Sequence, residues 1–214
     1  LQVYLTSVTE QFGTISLNGP NARKVMQKIS TSHDFSKENF PHMSFQNVTV
    51  DNISCRVMRI SFTGELCYEI NVPSSYANSA WKKCIEAGKE FNITPYGTEA
   101  MHVLRAEKGF IIVGQETDGS VTPIDLDMDW IISKKKYDFI GKRALSRSDT
   151  VKENRKQLVG IFTKDPNEIL EEGAQLVEKE TALPMTMVGH ITSSYYSPNL
   201  GRSFALALVK GGIN

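Results

Sequence analysis

Three stretches of this 214-residue chain carry side chains that can do chemistry. The first is Ser61-Phe62-Thr63-Gly64-Glu65-Leu66-Cys67-Tyr68-Glu69-Ile70. Its spacing predicts a strand that turns at Gly64 and returns, bringing Phe62 and Glu69 near one another. Phe62 can then stack on a flat ring, and a carboxylate nearby can accept two hydrogen bonds from an amidine-like ring edge. The same residues also describe a plain hairpin with a buried aromatic and solvent-facing acids. The second stretch is Leu104-Arg105-Ala106-Glu107-Lys108-Gly109. Arg105 shares a helical side with Met101 and Leu104, close to apolar surface, where a guanidinium needs a partner and its fork suits a carboxylate. That carboxylate is either a ligand's or a protein acid such as Glu69 or Glu107. The third, Gly189-His190-Ile191-Thr192-Ser193-Ser194-Tyr195-Tyr196-Ser197-Pro198, is rich in hydroxyls and reads as turns that either serve a site or cap themselves.

Other chemistries have no local support. His33, His42, His102 and His190 are scattered without metal-ligand spacing, so no metal site is expected. There is no phosphate-cradling glycine loop and no strand-Gly-x-Gly-x-x-Gly-helix unit for a dinucleotide. No nucleophile–base pair is legible. Phe62, Glu69 and Arg105 are binders by type, and the catalytic residues remain unknown at this level. With 24 basic and 24 acidic side chains the formal net charge is zero, which argues against a protein that grips nucleic acid through its phosphates. No apolar run approaches the roughly 20 residues that span a bilayer, so no membrane partner is expected. Cys55, Cys67 and Cys84 form neither a disulfide framework nor a zinc signature, which points to reduced thiols and a cytoplasmic location.

The elements that must position these residues follow from periodicity. Residues 1–18 predict two extended runs, the second alternating through Phe12-Gly13-Thr14-Ile15-Ser16-Leu17. After the Asn18-Gly19-Pro20-Asn21 turn, Ala22, Val25, Met26 and Ile29 recur at helical spacing. Strands are expected over 44–50, 54–62 and 66–72, then a helix from Pro73 to Gly88 and a second from about Thr98 to Lys108 capped by Gly109. This mixture is α+β. Val151–Arg155 reads as a linker, followed by short strands over 157–163, 174–178, 187–192 and 204–210, which suggest a small β-barrel. The expected domains are 1–150 and 151–214. The chain opens Leu1-Gln2-Val3-Tyr4-Leu5, without Met and already in strand-like alternation, and this reads as part of a longer polypeptide.

Taken in order, the three stretches resemble the folate-binding aminomethyltransferase family of the glycine cleavage T-protein, and within it the C-terminal part of the α subunits of heterotetrameric sarcosine oxidases. Arg59-Ile60-Ser61-Phe62-Thr63-Gly64-Glu65 and Leu104-Arg105-Ala106-Glu107-Lys108-Gly109 are similar to the marks of the superfamily. Ile93–Gln115 and the tail from Leu200 to Gly212 are similar to the sarcosine oxidase branch. The resemblance implies an aminomethyltransferase-like folate-binding domain, incomplete at its N-terminus, and a C-terminal barrel. It implies tetrahydrofolate as the bound cofactor, with Glu69 reading the pterin edge, Phe62 in an aromatic place, and Arg105 near the p-aminobenzoyl-glutamate portion. Val113 falls near a position that is often Tyr in T-proteins. The family's key Asp is implied upstream of Leu1, and FAD, FMN and NAD are implied only in missing regions or in partner subunits (beta, gamma and delta). The implied function is capture, as 5,10-methylenetetrahydrofolate, of the one-carbon unit from oxidative demethylation of sarcosine. The alternatives are a glycine cleavage aminomethyltransferase and a non-catalytic folate-binding or subunit-docking module. The chain by itself is expected to be inactive.

Overall fold

The computed structural model describes residues 2–212. By its internal contacts the chain divides into two compact units, Leu1–His102 and Val103–Asn214.

The first unit is one antiparallel sheet with helices on one face. Strand β1 (Phe12–Asn18) is followed by helix α1 (Ala22–Ile29), then β2 (Phe45–Val50), β3 (Ile53–Met58), β4 (Cys67–Pro73) and helix α2 (Ala77–Gly88). The sheet order is β1-β4-β3-β2. Register places Ile15 opposite Ile70, Leu17 opposite Tyr68, Val57 opposite Ile70 and Val48 opposite Cys55, so one face is continuously apolar. Ala22, Val25, Met26 and Ile29 of α1 and Ala80 and Cys84 of α2 are buried against that face. Burying Val25, Met26 and Ile29 is worth about 1.5–3 kcal/mol each, and this holds α1 as a helix of only 8 residues.

One expected extended run is not a strand, and another strand is shorter than the alternation suggested. Residues 2–8 adopt no regular structure, and a 3-10 turn at Thr9–Gln11 leads into β1. The expected strand over 54–62 ends at Met58, residues 59–61 have no regular structure and 62–66 form bends, because Thr63 and Leu66 are drawn back to the turn after β1: the Thr63 hydroxyl donates to Asn18 Oδ1 at 3.1 Å and Gly19 N–H to Leu66 O at 2.9 Å.

Helix α3 (Thr98–Glu107) carries the chain from one unit into the next. It ends as the sequence predicts. Gly109 has φ +74°, its N–H bonds to Ala106 O and the Phe110 N–H reaches Arg105 O, both at 2.9 Å.

The second unit holds strands β5 (Lys156–Phe162), β6 (Gln175–Val177), β7 (Met187–Ser197) and β8 (Arg202–Lys210) in the antiparallel order β5-β8-β7-β6. β8 is buried on both faces: Phe204 and Leu206 cluster with Val103 and Ala106, while Ala205 and Ala207 pack with Ile191 and Val159. β7 runs to Ser197, so most of the hydroxyl-rich stretch expected to be turns is strand. The reason is that two of its hydroxyls satisfy buried partners: Thr192 donates to Leu206 O at 3.1 Å, and Ser193, fully buried, bonds side chains from elsewhere in the unit, whereas Ser194 Oγ is buried without a partner among the described residues. Gly189 is required where β7 crosses β8, since a Cβ there would lie 2.4 Å from Leu208 O. The expected linker is anchored at its end. Arg155 forms a two-pronged pair with Asp125 at 2.8 and 2.6 Å, and donates to the carbonyls of Asp149 and Ser120.

Candidate functional site

The apolar side chains of β1 and β4 turn toward the helices, so strict alternation turns Thr14, Ser16 and Asn18 of β1 and Cys67, Glu69 and Asn71 of β4 to the other face. Tyr68 anchors this orientation. It is fully buried, packs on Phe35 and Phe40 with centroids 5.7 and 5.8 Å away, and lies 5.3 Å from the Arg59 guanidinium. Its neighbour Glu69 therefore points away from the core. Glu69 pairs in register with Ser16 on one side and Met58 on the other. It is half-buried, and burial holds its carboxyl above the usual range. Among the described residues no hydrogen-bond donor or cation meets its carboxylate. A carboxylate stripped of part of its water and lacking a protein partner is an acceptor in need of donors.

Around Glu69 the face is polar and ordered. The Asn18 amide donates to Ser16 Oγ at 2.9 Å and to the Tyr96 phenol, and Ser16 Oγ contacts Cys67 Sγ at 3.4 Å. Tyr96 is 40% exposed; burial is the main cause raising its phenol, and the Cys67 and Glu69 charges also push it up. Ser16, Asn18 and Tyr96 also border a cavity of about 550 Å³ whose other walls include Val25, Trp81 and Met101. Phe62, in the bends preceding β4, is 37% exposed, and the exposed part of its ring can offer a stacking surface. Glu69 and Phe62 thus both belong to the first unit, on β4 and on the segment leading into it.

Arg105 belongs to the second unit and has a different environment. It is fully buried and paired with Glu116, also fully buried, at 3.0 Å. Its terminal nitrogens also reach Phe110 O at 3.0 Å, Ser193 Oγ at 2.7 Å and Tyr195 Oη at 3.3 Å, while its Nε is buried without a partner among the described residues. Glu116 in turn accepts from Ser193 Oγ and from the Ile112 N–H at 2.7 Å. The protein acid is therefore Glu116, and neither Glu69 nor Glu107; Glu107 accepts from Ser197 and Asn199 instead.

Sequence reasoning missed Glu116, Asn18 and Tyr96. Each sits in or beside an irregular segment, where no periodicity marks which way a side chain points. Among the described residues no cluster of three or more His, Cys, Asp or Glu could hold a metal, and no helix is long and apolar enough to cross a membrane. Cys55, Cys67 and Cys84 are free and buried, and burial pushes the Cys55 and Cys84 thiols up to about 11.

Residues 2–136 match the model of the GCVT N-terminal domain, and residues 156–214 that of the glycine cleavage T-protein C-terminal barrel domain. The sarcosine oxidase subunit alpha of Corynebacterium sp. (strain P-1) is 55% identical over 99% of this chain and 22% of its own length. The aminomethyltransferase of Thermoanaerobacter pseudethanolicus is 31% identical over 97% of this chain and 54% of its own. Among solved structures, glycine cleavage system aminomethyltransferase T from Bartonella henselae superposes with a TM-score of 0.77 at 23% identity, covering 94% of this chain and 52% of that one. The chain thus spans about a fifth of the length of the sarcosine oxidase α subunit it matches.

Proposed function

The chain belongs to the glycine cleavage T-protein family, and from that premise we propose that it is the tetrahydrofolate-binding part of a sarcosine oxidase α subunit. The observation that carries this reading is Glu69: a half-buried carboxylate on an ordered polar sheet face, raised by burial and met by no protein donor among the described residues. Such an acceptor fits the donor edge of a 2-amino-4-oxopyrimidine ring, and the exposed ring of Phe62 supplies a surface for stacking. Tetrahydrofolate would supply the amine nitrogens that take up a one-carbon unit as 5,10-methylenetetrahydrofolate, the carbon coming from oxidative demethylation of sarcosine elsewhere in the assembly. The task of this chain's residues is to orient the ring in near-attack geometry and shield the reactive carbon from bulk water. Arg105 as a ligand contact rests on the family resemblance alone.

The remaining proposals follow from the same reading. The beta, gamma and delta subunits are the proposed partners, FAD, FMN and NAD are assigned to them or to other regions, and the location is cytoplasmic. The proposed domain boundary near residue 150 is supported by the gap between the two matched family models, from 136 to 156. The aminomethyltransferase likeness at 31% identity favours a second reading, in which the carbon arrives on a different carrier.

The test is calorimetric titration of the intact α subunit with tetrahydrofolate. A charge-assisted hydrogen bond is worth about 1.5–3 kcal/mol, so Glu69→Gln should weaken binding about ten-fold or more. Unchanged affinity would sink the assignment of Glu69.

A further inference from the structure

The amide of Asn18 is where three separate stretches of the first unit meet. Its Nδ2 donates to Ser16 Oγ within β1 at 2.9 Å and to the phenol of Tyr96, which lies between α2 and α3. Its Oδ1 accepts from the hydroxyl of Thr63, which is 3% exposed, at 3.1 Å. Thr63 Oγ1 also receives the Glu65 N–H at 3.4 Å, closing the turn on itself, and the Gly19 N–H holds the far end of the same turn through Leu66 O at 2.9 Å. Phe62 directly precedes Thr63. Covering a ring that is 37% exposed costs the side chain its remaining rotamer entropy. Removing it beforehand raises affinity without adding a contact.

We propose that Asn18 is the positioning residue of this face: through the Thr63 hydroxyl it fixes the turn carrying Phe62 relative to β1, and hence relative to Glu69. Ser16 is the cross-strand neighbour of Glu69, so Asn18 is tied on one side to the strand pair that presents the carboxylate and on the other to the turn that presents the ring. Stacking and edge contact are then made at one geometry. Asn18 touches no ligand in this scheme. The inference rests on the folate reading above.

A double-mutant cycle in the intact α subunit, read by anaerobic titration with tetrahydrofolate, tests it. Thr63→Val removes the hydroxyl but keeps the branched shape and leaves β1 untouched. It should weaken binding about three- to ten-fold, the worth of one neutral hydrogen bond, and Asn18→Ala should do at least as much. Because both act through Phe62, each combined with Phe62→Ala should bind no more weakly than Phe62→Ala alone. Additive losses, or unchanged affinity in Thr63→Val, overturn the inference. A merely structural contribution would lower the melting temperature and still add to Phe62→Ala. Should Asn18→Ala fail to fold, the Thr63→Val cycle decides. Absence of tetrahydrofolate binding by the wild type would overturn the folate reading itself, an outcome distinct from additivity among the variants.

Discussion

Arg105 and Glu69 show how far a single side chain's surroundings determine its use. Both are charged groups partly or wholly removed from water. Glu69 keeps an open acceptor, whereas Arg105 spends its terminal nitrogens on Glu116, Ser193, Tyr195 and the Phe110 carbonyl. Breaking a fully buried pair leaves one uncompensated charge, at a cost of about 3–5 kcal/mol. Glu116→Ala should therefore destabilise the chain by about that amount in denaturant unfolding, and a loss below 1 kcal/mol would show that the pair is not closed in solution. Arg105→Lys keeps the charge but loses the fork that reaches several acceptors together. We expect its melting temperature to fall equally with and without tetrahydrofolate. A distinctly larger fall in the bound form would mean that Arg105 contacts the ligand.

At the scale of elements, the segment between α3 and β5 has little regular structure and is held by side chains. Its main clamp is Arg155 on Asp125, reinforced by the Thr122 N–H and hydroxyl, both 2.8 Å from Asp125 Oδ2. Burial alone would raise the Asp125 carboxyl, but the Arg155 and Thr122 hydrogen bonds prevail and hold it below its ordinary 3.8. A carboxyl depressed in the fold stabilises above its unfolded pKa, and that stability is lost as pH falls through the folded value. Thermal stability should thus decline on acidification below about pH 4, and Asp125→Asn should flatten that acid limb while lowering stability at pH 7. An acid limb of the same steepness in the variant would assign it to other carboxylates. The same lesson applies to β7, whose hydroxyl-rich stretch resembles turn chemistry until its partners are known. Buried acceptors such as Leu206 O and Glu116 make Thr192 and Ser193 strand residues.

For the whole molecule, no dinucleotide fingerprint and no nucleophile–base pair is legible in the sequence, and the chain covers 22% of the sarcosine oxidase α subunit it matches. The isolated chain should yield neither peroxide nor methylenetetrahydrofolate from sarcosine, oxygen and tetrahydrofolate. Turnover above a protein-free control would place the chemistry in residues read here as binders. What the sequence determined by itself is what short-range periodicity encodes. Alternation in residues 12–17 marks β1, the Ala22, Val25, Met26 and Ile29 stripe marks α1, Gly109 marks the end of α3, and apolar runs after residue 155 mark the C-terminal strands. Each of these depends on a residue's neighbours within one or two turns or pleats, and so survives without knowledge of the rest of the chain. Only the tertiary structure decided that Arg105 meets Glu116, that Asn18 joins β1 to Thr63 and Tyr96, and that the contacts divide within α3. Those outcomes depend on which irregular segments fold back on which strands. Asn18 and Tyr96 are 78 positions apart and Arg105 and Ser193 88, and no local pattern records such pairings. They are selected by the need to satisfy buried polar groups, a condition that exists only once the chain is folded.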